Sequence, residues 1–346
     1  MNIPLIDISP LYSDNSDPLN SDPLNSDTLN SDALLSGKQQ VARAIDSACQ
    51  HSGFFYITGH PITAERIDSM RQLAADFFSL PMDEKQQIAI PLSNNHRGYG
   101  ETAAEQLDPG QPTDWKESFD MGLNLPEGHA LIGPDRPLYG PNQYPARPAD
   151  FQARMEAHYW DMLALGKKIL SALAIALEID EAFFDDKFDH PLSVLRFLHY
   201  PPRPQVLGDD GQPVAPVGAG AHTDYGCITI LWQDEVGGLQ VQDLDGNWID
   251  APPIEGSFVI NIGNMMARWS NDRYKSTPHR VYSPSGKERY SMPFFVEPDF
   301  DTDVSCLPNC CSDHEAPKYA PISAGNWMIE CFNATYAYRD EEENEV

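Results

Sequence analysis

Residues 220–226 read GAHTDYG, and an apolar run, CITILW (227–232), follows directly. Side chains two apart on a strand point to the same face, so His222 and Asp224 would present an imidazole beside a carboxylate. The pair fits half of a metal site or a polar strand edge, and two residues alone do not choose between them. From about Leu192 the chain falls into short runs: LSVLRFLHY, CITILWQ, GLQVQD, NWIDAP, GSFVINIG, HRVYSP and RYSMPFFVE. Gly, Pro, Asn or Asp turns separate them. Many short strands at this spacing predict a sandwich or barrel.

The first half reads differently. IPLIDISPLY predicts a short strand. GKQQVARAIDSACQHSG sets Val41, Ile45, Ala48 and Cys49 on one helical face and stops at Gly53. FFYITGH predicts a buried strand, and TAERIDSMRQLAADFFSLP a second helix closed by Pro81. EAHYWDMLALGKKILSALAIALEI predicts a long apolar helix that supports a sheet. The expected fold is mainly β with flanking helices, built as a jelly-roll core in one domain over 1–346. Within it we expect an N-terminal region (1–120), helical support (121–190), the core (191–300) and a C-terminal segment (301–346). A five-residue repeat, SDPLN and its variants, fills 16–35. Its turn-forming residues offer one leucine per unit to bury, which predicts a functionally neutral insertion.

Composition narrows the function. Lys+Arg number 23 against 52 Asp+Glu, a formal net charge of −29 that repels phosphate backbones and argues for a small-molecule substrate over nucleic acid. No apolar run approaches the ~18 residues of a membrane span, and the N-terminus lacks the basic start and apolar stretch of a signal peptide. Six cysteines are too sparse for a disulfide scaffold, so free thiols in the cytoplasm are expected. CLPNCCSDH gathers Cys306, Cys310 and Cys311 near His314, but a zinc clip there lacks a second ligand pair.

A mononuclear site needs a third ligand besides His222 and Asp224. His279, opening the run HRVYSP, is the best candidate; His199, in LRFLHYPP, is the competitor, set by alternation on the face opposite Tyr200 and without a neighbouring carboxylate in sequence. Two imidazoles and one carboxylate on one face form the pattern of non-haem Fe(II) oxygenases. Ten residues after His279 come Arg289 and Ser291 in RYS. A guanidinium beside a hydroxyl suits a carboxylate ligand, although a surface Arg-Ser pair on an edge strand reads the same way.

Taken in order, HTD, SNDRYKSTPHRV and RYS resemble the iron and 2-oxoglutarate dioxygenases of the isopenicillin N synthase-like group. IPLIDISPLY, GFFYITGH, FFSLPMDEK, HRGYG, YPP and VGGLQVQDLDGNWIDAPPIEGSFVINIGN extend the likeness over nearly the whole chain. The resemblance implies a distorted double-stranded β-helix, with Fe(II) as cofactor and 2-oxoglutarate and O2 as co-substrates. It implies iron ligands His222, Asp224 and His279, and a 2-oxoglutarate site of Arg289, Ser291 and Tyr200. Many plant members carry an Asn two residues before this tyrosine, where this chain has Leu198. Asp224 favours hydroxylation or desaturation over halogenation, because related halogenases lack the carboxylate. Phe295 and Glu297 match pocket-lining positions, and Arg97 and Tyr99 match a segment reaching over the pocket. Strand packing accounts equally for Phe295, and a plain turn for Arg97 and Tyr99. Three alternatives stay open: an oxidase or cyclase of the isopenicillin N synthase type that does not use 2-oxoglutarate, ethylene-forming fragmentation of 2-oxoglutarate, and, more distantly, a zinc hydrolase or non-redox metal protein.

Overall fold

The computed structural model describes residues 3–13, 36–108, 113–202, 206–207, 213–214, 217–282, 286–312 and 315–335; the repeat at 16–35, His314 and the acidic tail lie outside them. In chain order the elements are β1 (Leu5–Asp7), α1 (Gly37–His51), β2 (Phe54–Thr58), α2 (Ala64–Phe78), α3 (Met82–Gln86), β3 (Gly98–Gly100) and β4 (Glu117–Gly122). Then come α4 (Phe151–Ala176), β5 (Val194–Tyr200), β6 (Val206–Leu207), β7 (Pro213–Val214), β8 (Val217–His222), β9 (Ile228–Gln233) and β10 (Leu239–Gln242). The last are β11 (Trp248–Asp250), β12 (Phe258–Ile262), α5 (Asn264–Trp269), β13 (His279–Tyr282), β14 (Arg289–Val296) and α6 (Ala324–Thr335).

The helices begin where their caps are. Ser36 and Gln39 close a capping box at α1, and Thr63 accepts from Arg66 N at α2. Val41, Ala42, Ile45, Ala48 and Cys49 form the buried stripe of α1. Gly53, at φ 67°, turns the chain into β2 with a backbone that a side chain would strain. The long helix α4 starts five residues before the run predicted for it, because Phe151 and Met155 extend its buried face. Among the described residues no helix is long and apolar enough to cross a membrane.

Eight strands form the major sheet, in the order β1-β2-β12-β9-β14-β5-β4-β3, and four the minor sheet, β11-β10-β13-β8. Helices α1, α2 and α4 cover one face of the major sheet, and the minor sheet faces the other. Alternation separates the two cores. On β14, Tyr290, Met292, Phe294 and Val296 join the helix-side core with α1, α2 and α4. On β5, Leu198 and Tyr200 point the other way, packing with Phe54, Val241, Val259 and Val281 between the sheets. Every strand run expected after Leu192 is present. No strand is predicted at GYG or ESFDMG, yet these form β3 and β4 and complete the major sheet beside β5. The buried charges Glu117 and Asp120 hide that strand's alternation, since their partners come from distant segments.

Candidate metal centre and its pocket

His222 ends β8 and His279 opens β13, and the two are directly paired across the minor sheet. Their rings lie 4.3 Å apart. Asp224 sits past the end of β8, so the turn into β9, not a continuing strand, brings its carboxylate to the imidazoles. Its Oδ1 lies 3.8 Å from His222 Nε2 and 3.6 Å from His279 Nε2. Among the described residues this is the one group of three His, Cys, Asp or Glu ligand atoms that converge, all within 4.8 Å of one another.

The surroundings fix which atoms face inward. His222 Nδ1 meets Gly220 O at 2.7 Å, and His279 Nδ1 meets Thr277 O at 3.2 Å. A carbonyl only accepts, so each Nδ1 carries the proton and each Nε2 keeps its lone pair for a metal. Asp224 Oδ2 accepts from Asn261 Nδ2 at 2.7 Å and from Thr229 Oγ1, leaving Oδ1 for the centre. Burial, then the neighbouring His279, depresses His222 to about 4, so its imidazole is neutral near pH 7. Burial works against the Asp224 carboxylate, but the two imidazoles, Thr229 and Asn261 outweigh it and hold its pKa below the ordinary value. This donor set fits an Fe(II) ion.

On the facing sheet Arg289 is fully buried. Its Nε donates to Gly237 O at 2.5 Å, Nη1 to Ser291 Oγ at 3.1 Å and Nη2 to Gln233 Oε1 at 3.3 Å. The guanidinium stacks 4.5 Å from the ring of Tyr200, its cross-strand neighbour. No carboxylate of the described residues pairs with it within 4.0 Å. A buried guanidinium without an anion is costly, and two of its five N–H groups remain for one. Arg289, Ser291 and Tyr200 thus meet in one buried cluster.

Beside the triad a cavity of about 90 Å³ is lined by His222 and Asp224, and also by Arg97, Phe295 and Glu297, three of the four pocket residues expected from sequence. Phe295 continues the inward alternation of Arg289 and Ser291 along β14, and Glu297 follows just past the strand's end. Tyr99 does not join them, and the expectation that it reaches over the pocket is corrected here. It pairs with Phe119 across β3 and β4, faces the helix layer, and donates to Glu117 Oε2 at 2.6 Å. His199 lies on that side too, as alternation required, but the missing carboxylate is supplied from afar: its ring nitrogens meet Glu117 at 2.7 Å and Glu288 at 2.9 Å. It therefore belongs to a buried Lys85–Glu117–Tyr99 network rather than the centre. Cys306 and Cys311 both turn toward Leu307 O, and burial pushes the Cys306 thiol up to about 12.

The rest of the lining left no mark in the sequence reading. Asp120 on β4 and Arg196 on β5 form a 2.7 Å ion pair at the cavity. Met328 and Phe332 of α6 cover it, with Phe332 stacked on His96 at 5.5 Å. An inward position on a known strand could have marked Arg196; nothing local marks α6.

A two-sheet roll that brings together two histidines and one aspartate, with a buried arginine on the facing sheet, fits the class of mononuclear non-haem iron oxygenases. Comparison places the chain within that class. Residues 3–147 match the family described as non-haem dioxygenase in morphine synthesis N-terminal, and residues 190–298 match the 2OG-Fe(II) oxygenase superfamily. The 2-oxoglutarate-Fe(II) type oxidoreductase hxnY of Emericella nidulans is 37% identical over 346 residues, covering 98% of this chain and 93% of that protein. Homoarginine-6-hydroxylase 2-ODD-C23.1 of Arabidopsis thaliana is 36% identical, covering 89% and 88%. The crystal structure of a full-length Neurospora crassa protein in complex with alpha-KG and thymine is similar at a TM-score of 0.77 and 32% identity, covering 96% of each chain. The protein belongs to the isopenicillin N synthase-like 2-oxoglutarate and Fe(II) dioxygenases, with a jelly-roll core, and it is an oxidoreductase that uses Fe(II), 2-oxoglutarate and O2.

Proposed function

We propose that the protein hydroxylates a small polar molecule, with Fe(II) held by His222 Nε2, Asp224 Oδ1 and His279 Nε2. The convergence of these three atoms, each turned inward by a hydrogen bond on its other side, carries the reading. The bound iron supplies the oxidising chemistry that couples decarboxylation of 2-oxoglutarate to succinate with hydroxylation of the substrate.

The chain's own residues do the rest. Arg289 and Ser291 hold the far carboxylate of 2-oxoglutarate, and Tyr200 backs the guanidinium and keeps it planar to that ligand. Phe295 supports the substrate face, while Met328 and Phe332 exclude water from above. The homoarginine hydroxylase relative and the thymine complex of the Neurospora crassa protein are both consistent with a small polar substrate.

Calorimetric titration of 2-oxoglutarate into Fe(II)-loaded protein without oxygen tests the assignment. One equivalent binds the wild type, and Arg289→Met binds at least about tenfold more weakly, as loss of a charge-assisted pair requires. Equal affinity in the variant would place the carboxylate elsewhere.

A further inference from the structure

Two ionisable side chains in the cavity have no use in the iron and 2-oxoglutarate sites. Arg97 is buried, donates from Nη1 to His96 O at 3.1 Å and from Nη2 to Leu138 O at 3.5 Å, and leaves its buried Nε–H without a partner. Glu297 is 4% exposed. Its backbone is tied to Ser193 on both sides, at 3.0 Å each, but its carboxyl makes no hydrogen bond or ion pair among the described residues. Both side chains line the same cavity, yet no N–O contact within 4.0 Å joins them.

Glycines keep room for both. A Cβ at Gly122 would come within 2.4 Å of the Arg97 guanidinium, and one at Gly226 within 2.8 Å of Glu297 Cγ. The opposed signs also select a ligand. A cation entering the cavity meets Arg97 and Arg196, and an anion meets Asp120 and Asp224. A neutral dipole with a donor beside an acceptor satisfies both unmatched groups. Burial points the same way, pushing Glu297 up to about 8 and Arg97 down from its usual value. The aromatic lining, Phe295, Tyr225 and Phe332, suits a flat molecule.

We infer that Arg97 and Glu297 together read an uncharged –NH–C(=O)– edge on a planar substrate, Arg97 donating to the carbonyl oxygen and Glu297 taking up the neighbouring N–H. This rests on the function proposed above and names the substrate class of that same site.

The test is calorimetric binding of 2-pyridone, N-methyl-2-pyridone and phenylalanine to the full chain loaded with Fe(II) and 2-oxoglutarate, without oxygen. The lactam should bind, and its N-methyl form should bind about tenfold more weakly or worse, since a buried acceptor is left unpaired. Glu297→Leu and Arg97→Met should each lose about tenfold or more. Glu297→Gln, which still accepts from an N–H, should stay within about threefold. The inference is overturned if 2-pyridone does not bind, if the N-methyl form binds equally, or if phenylalanine binds better and Glu297→Gln loses as much as Glu297→Leu, the signature of an ionic contact. Binding of 2-oxoglutarate to the Fe(II)-loaded wild type, titrated beforehand in the absence of the three analogues, reports separately on the underlying function.

Discussion

Taken residue by residue, the centre depends on groups that touch no ligand. Thr229 and Asn261 direct Asp224 by holding Oδ2, so that Oδ1 alone faces the imidazoles. Replacing Asn261 with alanine should lower metal affinity by about 10–100-fold, as loss of such partners does elsewhere. Competition with a chromogenic chelator measures it, and unchanged affinity would show that Asp224 needs no such support. The carboxylate receptor makes a second claim. Arg289→Lys keeps the charge and loses the planar fork, so KM for 2-oxoglutarate should rise at least about tenfold with a smaller change in kcat. The candidate site residues His222, Asp224, His279, Arg289 and Ser291 were legible because their chemistry sits in short motifs on strands. Asn261, Gln233, Asp120 and Arg196 were not, because each acts through a partner in another segment of the chain. Tyr99 was misplaced for a related reason: a three-residue strand fixes its face only once its pairing to β4 is known.

Among the helices and strands, α4 is the prop of the major sheet. Gly166 lets it approach β14, where a Cβ would come within 2.8 Å of Val296 Cγ2. Gly166→Ala should therefore destabilise the fold by about 1–3 kcal/mol despite alanine's better helix propensity. Thermal or urea unfolding decides it, and a stabilised variant would mean that the helix and sheet separate without cost. The same helix carries a pH signature. Burial, then Arg66, depresses buried His158 to about 3. Its unfolded value is near 6.5, so the unfolded chain binds the extra proton as pH falls. The stability from neutral His158 is complete above about pH 6.5 and declines toward about pH 3, by up to about 1.4 kcal/mol per pH unit. His158→Leu should flatten that limb in urea unfolding measured between pH 4 and 7. Strands with apolar alternation were legible, and so were helices with caps. Strand β4 was not, because Glu117 and Asp120 stand where apolar residues would have revealed it.

In the molecule as a whole, an architecture of helices, major sheet and minor sheet sets His222 and His279 on one wall and Arg289 and Ser291 on the other. The jelly roll followed from the succession of short strands, and the family from the order of HTD, His279 and RYS. The recruitment of four N-terminal strands into the major sheet did not, since pairing between segments far apart in sequence leaves no local mark. The surface adds a general expectation. With a formal net charge of −29, self-repulsion opposes folding, and the melting temperature should rise between low and moderate ionic strength as screening sets in. The proposed function stands on the iron triad, and its sharpest test is succinate formation from 2-oxoglutarate under Fe(II) and oxygen. The wild type should form succinate in step with oxygen consumed, and Asp224→Ala should form none above background. Succinate formation retained in Asp224→Ala, or absent from wild-type protein shown to hold Fe(II) and 2-oxoglutarate across a panel of small polar substrates, would refute the assignment.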